Sequence, residues 1–398
     1  MPSGEHTPLL SGNPHRHPVK VAPTALASAK HLLYSWFNIL LIAVPFTFLA
    51  TFLGWSAQVR FVFSFISIVP LAKLLGDATE QLSIPLGQTI GGLLNATFGN
   101  AVELIVGIVA LQQNQLRLVQ TSLLGSILSN ILLVLGMSFF ASGFKFAESH
   151  FQVTAAQTMS SLLVLSCITL VVPAAYHSSK IDSSASSSIV NFLETDSSAP
   201  QTGLLLLSRG TSLVLFFVYL AYLYFQLKSH ASLFEADTED VEEEEVSMGV
   251  WASGIALALV TILTAFCADH LVSSIDETCQ QWNIPKTFVG LILLPLVGNA
   301  AEHVTSIWMA MKGKMELVMG IAVGSSIQIA AGMIPLLVII GWAMGRELTL
   351  FFSNFETIIL FVSVILVHVL IADGTSNWLE GLILMALYSV IALAFWVS

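Results

Sequence analysis

The sequence predicts an all-α polytopic membrane protein with eleven transmembrane helices: one peripheral N-terminal helix followed by two inverted repeats of five helices. Three observations predict this fold class: an apolar composition, a series of apolar stretches, and an internal repeat. Of the 398 residues, 55% are hydrophobic and 10% are charged, and the mean hydropathy is +0.83. Because a soluble chain carries about 25% charged residues, this composition excludes a soluble enzyme and indicates a lipid bilayer as the surroundings.

The apolar residues are grouped into stretches of the length that a membrane requires. A helix crosses the hydrocarbon core with about 20 predominantly apolar residues. The sequence contains eleven such stretches, which start near positions 33, 56, 86, 118, 151, 204, 248, 287, 315, 351 and 377. We therefore expect eleven transmembrane helices and almost no soluble domain.

The N-terminal segment differs from the rest of the chain. Residues 1–30 are polar, rich in Pro, Ser and His, and lack the apolar core of a secretory signal, so we expect a disordered cytosolic arm. Within it, Glu5 to Leu10 has the spacing of an acidic dileucine signal, which predicts a sorting adaptor as a partner and a vacuole or lysosome-like organelle as the location; a chance match is the alternative. Residues 31–55 then form the peripheral first helix.

Basic residues predict the orientation. Short cytosolic loops favour Lys and Arg, and in the eleven-helix arrangement eight basic residues fall on the N-terminal side and six on the other. We therefore place the N-terminus in the cytosol. The first repeat (56–228) and the second repeat (248–398) are then separated by a cytosolic segment, 229–247.

This cytosolic segment is strongly acidic. It contains eight of the 25 acidic residues of the chain: Glu235, Asp237, Glu239, Asp240, Glu242, Glu243, Glu244 and Glu245. Two interpretations remain open. The segment is either a solvated linker, or an amphipathic acidic helix across the cytosolic entrance that concentrates cations and regulates their uptake.

The internal repeat contains polar residues inside membrane stretches. A shift of 199 residues places Gly-Asn-Ala-Val-Glu at 99–103 on Gly-Asn-Ala-Ala-Glu at 298–302, and without a gap places Gly125-Ser126 on Gly324-Ser325. Asn and Glu are costly in a bilayer, so their recurrence at one spacing argues against chance. A repeat of five helices ends on the opposite side of the membrane, so the two halves must be inverted, as in transporters whose substrate site lies at the midplane.

The two repeated acids, Glu103 and Glu302, are the candidate site. A charge at the bilayer centre costs about 2.5–3.5 kcal/mol on insertion scales, and no Lys or Arg lies near them in the same stretches. A cation or a proton must therefore neutralise them. Carboxylates with neutral oxygen ligands suit Ca²⁺, whereas thiolates and imidazoles suit zinc or copper. The further candidate ligands, each of which has a helix-packing hydrogen bond as its alternative role, are Asn100, Asn299, Ser126, Ser325, Ser129 and its repeat equivalent Gln328.

The two motifs resemble a known family. The stretches from Gly92 to Leu104 and from Val297 to His303 are similar to the two signature repeats of the vacuolar calcium/proton exchangers of fungi and plants, within the cation/calcium exchanger superfamily. The resemblance covers the second to the eleventh apolar stretch. It implies that Glu103 and Glu302 bind Ca²⁺ and protons alternately, and it favours a helix for the acidic segment. The surroundings of the acids differ from those in sodium/calcium exchangers, which argues against sodium coupling.

Physical chemistry agrees with proton coupling. Two carboxylates that share an apolar site oppose each other's ionisation, so protons compete with Ca²⁺. We expect a secondary active antiporter that moves cytosolic Ca²⁺ into an acidic organelle in exchange for protons, by alternating access at Glu103 and Glu302. His303 is either a polar group on the cavity wall or a proton donor near the site.

Two other transport functions are alternatives for a membrane protein with paired acids. A cation channel is an alternative because acidic rings also select cations, and a sodium-coupled Ca²⁺ exchanger is another. An intramembrane metallopeptidase is rejected because the His-Glu-x-x-His pattern is absent from the sequence. We expect no enzymatic activity, no cofactor apart from the transported Ca²⁺ and H⁺, and no nucleic-acid partner.

Overall fold

The computed structural model describes residues 36–186, 199–231 and 247–397. The predicted N-terminal arm, the dileucine motif and all eight carboxylates of the acidic segment lie outside the described residues. The described part of the chain is helical apart from its loops and one short antiparallel strand pair, β1 (Ser149–His150) with β2 (Thr375–Ser376). The predicted helical membrane fold is therefore confirmed.

The helices follow the predicted apolar stretches along the chain. In order they are α1 (Trp36–Phe52), α2 (Ala57–Gly87), α3 (Ile90–Phe98), α4 (Ala101–Gln112), α5 (Leu116–Ser142), α6 (Val153–Ser186), α7 (Thr202–Ser229), α8 (Val250–Trp282), α9 (Lys286–Gly298), α10 (Ala300–Met311), α11 (Met315–Ala343), α12 (Asn354–Leu370) and α13 (Trp378–Val397). Among the described residues, seven of these are long and apolar enough to cross a membrane. The number rises to nine if the bent pairs α3–α4 and α9–α10 each count as one span.

The two bent pairs break at the repeated Gly-Asn motifs. Between α3 and α4 the chain turns by 49° at Gly99 and Asn100, where Asn100 has φ −110° and ψ 37°. Between α9 and α10 it turns by 55°, and Asn299 has ψ 9° in place of a helical value. Glu103 and Glu302 each lie in the first turn after the break. Both acids are thus placed where the backbone leaves the helical hydrogen-bond pattern.

Burial separates the central helices from the outer ones. In the apolar windows of α5 and α11, 83% and 72% of the residues are buried, whereas the figure is 28% for α7, α8 and α13. Large side chains on the outer helices, such as Trp251 (86% exposed) and Phe217 (72% exposed), cover the outer surface. The apolar outer surface suits a lipid environment, and α5 and α11 form the centre of the bundle.

The loops meet in two groups at opposite ends of the bundle. At one end, β1 in the α5–α6 loop pairs with β2 in the α12–α13 loop, and Gly313 lies against the ring of Phe146. At the other end, the side chain of Arg346 donates to the carbonyl oxygen of Gln112 at 2.9 Å. We call the first end, where α5 ends and α11 begins, the open side, because a large cavity opens there. The second end is the closed side.

The first helix packs on two others. The hydroxyl of Thr47 on α1 lies 3.0 Å from that of Ser67 on α2, and both side chains are fully buried. The ring of Phe48 stacks on that of Phe266 on α8, with centroids 3.8 Å apart. This helix therefore lies on the outer face of α2 and α8.

One ion pair at the closed side joins a buried carboxylate to a partly exposed guanidinium. Arg117 at the start of α5 pairs with Glu356 on α12, which is 1% exposed and also forms a capping box with Ser353. Replacement of Arg117 by Ala leaves that carboxylate buried without its cation, which we expect to lower the stability by about 1–3 kcal/mol. A thermal unfolding curve of the detergent-solubilised protein measures the loss. Arg346→Ala at the same end, which removes a half-buried cation that bonds to Gln112 and Asn114, is the control. An equal decrease in Tm for both variants would contradict the prediction.

Candidate cation site

The two broken helices meet at the centre of the bundle. A Cβ atom at Gly298 would lie 2.7 Å from Oε1 of Glu103, so the acid of the first motif packs directly against the glycine of the second. Only a residue without a side chain leaves room for this carboxylate. The structure therefore brings together the two motifs that are 199 residues apart in the sequence.

Ser325 connects the two motifs. Its hydroxyl lies 2.7 Å from Oδ1 of Asn100, in the first motif, and 3.1 Å from Oε1 of Glu302, in the second. It also accepts a hydrogen bond from Nδ2 of Asn130 at 3.0 Å. Because a hydroxyl has one hydrogen, Ser325 can donate to the amide oxygen or to the carboxylate, and its orientation depends on the protonation of Glu302.

Gln328 contacts the break between α3 and α4. Its Oε1 accepts a hydrogen bond from Nδ2 of Asn100 at 2.8 Å, and its Nε2 donates to the carbonyl oxygen of Ala96. That carbonyl belongs to the last turn of α3, where the break removes helical donors. Gln328 thus satisfies the broken backbone of one repeat from within the other.

Asn299 has a partner in the opposite repeat as well. Its Nδ2 donates to Oδ1 of Asn130 at 2.9 Å and to the carbonyl oxygen of Ser126 at 3.4 Å. Within the described part of the chain, Oδ1 of Asn299 and Oε2 of Glu302 are buried without a hydrogen-bond partner. Buried acceptors are normally satisfied, so these two oxygens are available to a cation or a proton.

A cavity of about 850 Å³ extends from this centre to the open side. Five of the eight predicted ligands line it: Glu103, Glu302, Asn100, Ser325 and Gln328. Nearer the open side its wall contains an ion pair between Lys73 and Asp77, 2.5 Å apart, together with the acids Glu80 and Glu316. The candidate site can therefore be reached from one side of the bundle through an acidic passage.

A second cavity of about 20 Å³ lies beyond the site, toward the closed side. Glu103 and Gly298 line both cavities, and Ser126 lines only the smaller one. The remaining lining is mostly apolar and includes Ile68 and Leu271. The site is thus open in one direction and closed in the other.

Four predicted site residues lie outside the lining of the large cavity: Ser126, Ser129, Asn299 and His303. Asn299 and Ser129 are fully buried there. His303 also lies outside the lining, and its Nδ1 is 2.6 Å from the carbonyl oxygen of Asn299, to which it donates. In this position the imidazole supports the broken backbone of the second motif.

Sequence reasoning missed Asn130. This residue is fully buried and contacts both Ser325 and Asn299. The available signal was an Asn inside an apolar stretch, a residue type that the bilayer disfavours. The repeat shift passed over it because its equivalent in the second half is Ile329, and selected the neighbouring Ser129 as the partner of Gln328.

The donor set fits a hard cation. Among the described residues there is no group of three or more His, Cys, Asp or Glu side chains that could hold a metal. The central site offers two carboxylates with amide and hydroxyl oxygens, the ligand type that Ca²⁺ prefers and zinc does not. Broken helices that meet at a central polar site inside an apolar bundle are typical of membrane transporters.

Comparison with known proteins identifies the family. The profile of the sodium/calcium exchanger protein family matches residues 56–228 and 252–397. The chain belongs to this family, and the predicted membership of its calcium/proton exchanger branch is confirmed by its relatives. The vacuolar calcium ion transporter of Schizosaccharomyces pombe (strain 972) is 48% identical over 365 residues, which cover 92% of this chain and 85% of that protein.

A bacterial relative and a solved structure agree with this assignment. The Ca²⁺/H⁺ antiporter of Synechocystis sp. (strain PCC 6803) is 38% identical over 90% of this chain and 96% of its own length. The crystal structure of the Ca²⁺/H⁺ antiporter protein YfkE is 34% identical and superposes with a TM-score of 0.74, covering 91% of this chain and 99% of that one. The similarity to these proteins extends over nearly the whole transporter fold.

Proposed function

We propose that this protein is a secondary active antiporter that moves cytosolic Ca²⁺ into an acidic organelle in exchange for protons. The observation that carries the proposal is the meeting of the two repeated acids at the inner end of a one-sided cavity. Glu103 lies against Gly298, and Glu302 is held by Ser325. The names of the fungal and cyanobacterial relatives, a vacuolar calcium ion transporter and a Ca²⁺/H⁺ antiporter, support the same ions.

The five ligands that line the cavity are proposed to contact Ca²⁺. Ca²⁺ takes about six to eight oxygen ligands in flexible geometry, and the carboxylates of Glu103 and Glu302 supply up to four. Asn100, Ser325 and Gln328 add neutral oxygens from both repeats. Asn299, Ser126 and Ser129 lie behind this lining and are proposed to position it.

Exchange follows from charge balance. A site with both acids protonated, or with one Ca²⁺ bound, is close to neutral, whereas the empty site carries two negative charges. A dianion inside the membrane is costly to enclose, so the empty site is not expected to change its access. Protons and Ca²⁺ therefore cross in alternation, with Glu103 and Glu302 as the proton carriers and His303 as a brace for the second break.

The proposed topology has eleven spans in two inverted repeats, 56–228 and 248–398, after a peripheral first helix. It counts each bent pair as one span and adds α1 and α12, the two shorter apolar helices. The loop contacts support this count, because the alternation places Phe146 and Gly313 on one side and Gln112 and Arg346 on the other. With a cytosolic N-terminus, the large cavity opens to the cytosol.

The acidic segment is proposed to act at the cytosolic entrance. The side-chain oxygen of Gln81 accepts hydrogen bonds from the backbone N–H groups of Ser247 and Met248, at 2.9 and 3.2 Å. This fixes the residues just after the segment beside Glu80, which lines the cavity. We propose that the eight carboxylates of residues 235–245, which lie outside the described residues, raise the local concentration of Ca²⁺.

The proposed location is the membrane of a vacuole or a lysosome-like organelle. The name of the Schizosaccharomyces pombe relative supports a vacuolar membrane, and the motif from Glu5 to Leu10 supports delivery by a sorting adaptor. A channel is disfavoured because inverted halves with one central site are typical of carriers.

The test is Ca²⁺ uptake into sealed proteoliposomes with an acidic interior, in the absence of sodium and ATP. We expect accumulation that saturates with Ca²⁺ and stops when a protonophore dissipates the pH gradient, because proton efflux is the driving force. Liposomes without protein are the control. Uptake that continues after the protonophore, requires sodium, or appears as single-channel current would contradict proton exchange.

A further inference from the structure

The geometry points to a polar latch on the closed side that holds the transporter in its present, one-sided state. The latch consists of Gln113, Gln115, Asp269, Asp276 and Lys286. The inference rests on the proposed alternating access, and it goes further by naming the contacts that must break when the closed side opens.

The small cavity shows where the closed side must separate. Its lining combines Ile68 of α2 and Leu271 of α8 with Val106 of α4, Ser122 of α5 and Leu294 of α9. Glu103 connects this space to the large cavity. A passage from the site to the closed side through this space therefore requires α2 and α8 to move away from α4, α5 and α9. We call the boundary between these two groups of helices the seam.

The first pair of the latch crosses the seam next to the α4–α5 loop. Nε2 of Gln113 donates to Oδ1 of Asp269 at 2.8 Å and to the backbone carbonyl oxygen of the same residue at 3.1 Å. Gln113 directly follows α4, and Asp269 lies on α8. Two hydrogen bonds thus join the two sides of the seam.

The second group crosses the seam nearer the end of α8. Oδ1 of Asp276 lies 2.5 Å from Nζ of Lys286, and its Oδ2 accepts a hydrogen bond from Nε2 of Gln115 at 2.8 Å. Lys286 also donates to Oε1 of Gln115 at 2.6 Å, which joins the α4–α5 loop to the start of α9 on the same side of the seam. Asp276 is therefore held by two groups that both lie across the seam.

Both acids of the latch lie on α8. Asp269 and Asp276 are seven residues apart, which is about two helical turns, so they lie on the same face of α8.

The network is also suited to reversible opening. Asp276 is 49% exposed and Lys286 is 35% exposed, and exposed pairs of this kind are individually weak. The latch can therefore favour the closed conformation of this side and still break when the side opens.

The hydrogen bonds of Arg346 at the same end do not involve α2 or α8. Arg346, in the loop between α11 and α12, bonds to the backbone of Gln112 and to the side chain of Asn114. This interaction joins the α4–α5 loop to a part of the bundle away from α2 and α8. Arg346→Gln is therefore a matched control, because it removes a half-buried cation from the same loop cluster without changing a residue of the latch.

The test measures access to Ser122, which lines the small cavity and not the large one. Ser122→Cys is introduced into the full chain with the three native cysteines, Cys167, Cys267 and Cys279, replaced by Ala, and the purified protein in nanodiscs is labelled with a charged thiol reagent. Asp276→Asn and Gln113→Ala are each expected to increase the labelling rate about two- to five-fold. The control Arg346→Gln should leave it unchanged. Unchanged labelling in both latch variants, or an equal increase in the control, would overturn the proposal.

A charge exchange makes the test independent of simple destabilisation. Asp276→Lys alone is expected to increase labelling, and Asp276→Lys with Lys286→Asp should return it to the parent rate. The exchanged pair keeps its partner because the amide of Gln115 can rotate to present its oxygen to Lys and its nitrogen to Asp. A double variant that labels as fast as the single one would refute the latch. Labelling does not depend on which ions are carried, so a failure of proton-coupled Ca²⁺ uptake would contradict the proposed function and leave the labelling result standing.

Discussion

Glu103→Gln and Glu302→Gln are each expected to abolish exchange, with uptake reduced at least about 100-fold, while the protein remains folded. Glutamine keeps the shape of the side chain but removes the negative charge that binds Ca²⁺ and the group that carries a proton. A neutral amide is also less costly to bury than a carboxylate, so Tm should stay equal or increase. Uptake driven by the pH gradient and the thermal unfolding curve are the two measurements.

The matched control for this pair is Glu347→Gln. Glu347 is an exposed acid in the loop between α11 and α12, away from the cavity, so the same chemical change should leave uptake near the parent rate. Near-parent uptake in either central variant would show that Glu103 and Glu302 do not form the ion site.

Gly298→Ala is expected to reduce transport at least about 10-fold. The new methyl group would lie 2.7 Å from Oε1 of Glu103, closer than two such atoms can approach, so the carboxylate or the broken backbone must move. Overpacking of this kind costs about 1–3 kcal/mol, and here the strain falls on the proposed Ca²⁺ ligand itself. The Ca²⁺ concentration for half-maximal uptake should therefore rise together with the loss of rate.

Gly320→Ala distinguishes this effect from a general intolerance of methyl groups. Gly320 is also a helical glycine next to the cavity, but a Cβ atom there meets no other atom within 4 Å. Uptake should be unchanged in that variant. If Gly298→Ala behaved in the same way, the close contact between Glu103 and the second motif would not be part of the transport site.

Several features of the site were readable from the sequence because they depend on local chemistry. An Asn or a Glu in an apolar stretch stands out since the bilayer disfavours both. The repeated Gly-Asn pairs, which stand out in the sequence, are the positions at which the structure bends by 49° and 55°. Five of the eight predicted ligands line the cavity.

The repeat comparison selected Ser129 in place of Asn130, because which of the two faces the site depends on helix rotation. Neighbouring residues on a helix point about 100° apart, so the choice between Ser129 and Asn130 depends on the register of α5. A π-helical turn begins at Ser129, and the wider turn changes which side chain faces the centre. The corresponding turn in α11 begins at Gln328, which directs the longer side chain across to the first motif.

By itself, the sequence determined that this is a helical membrane protein with a repeated Gly-Asn-Ala-x-Glu motif and two acids that need a cation or a proton. These properties follow from composition, stretch length and spacing, which act locally along the chain. The tertiary structure decided that Ser325 joins Asn100 to Glu302 and that Glu103 packs against Gly298. It also decided that α8 bonds to the α4–α5 loop on the closed side. Such contacts join residues as far apart in the chain as Asn100 and Ser325, 225 positions, and they exist only once the helices cross at fixed angles and rotations.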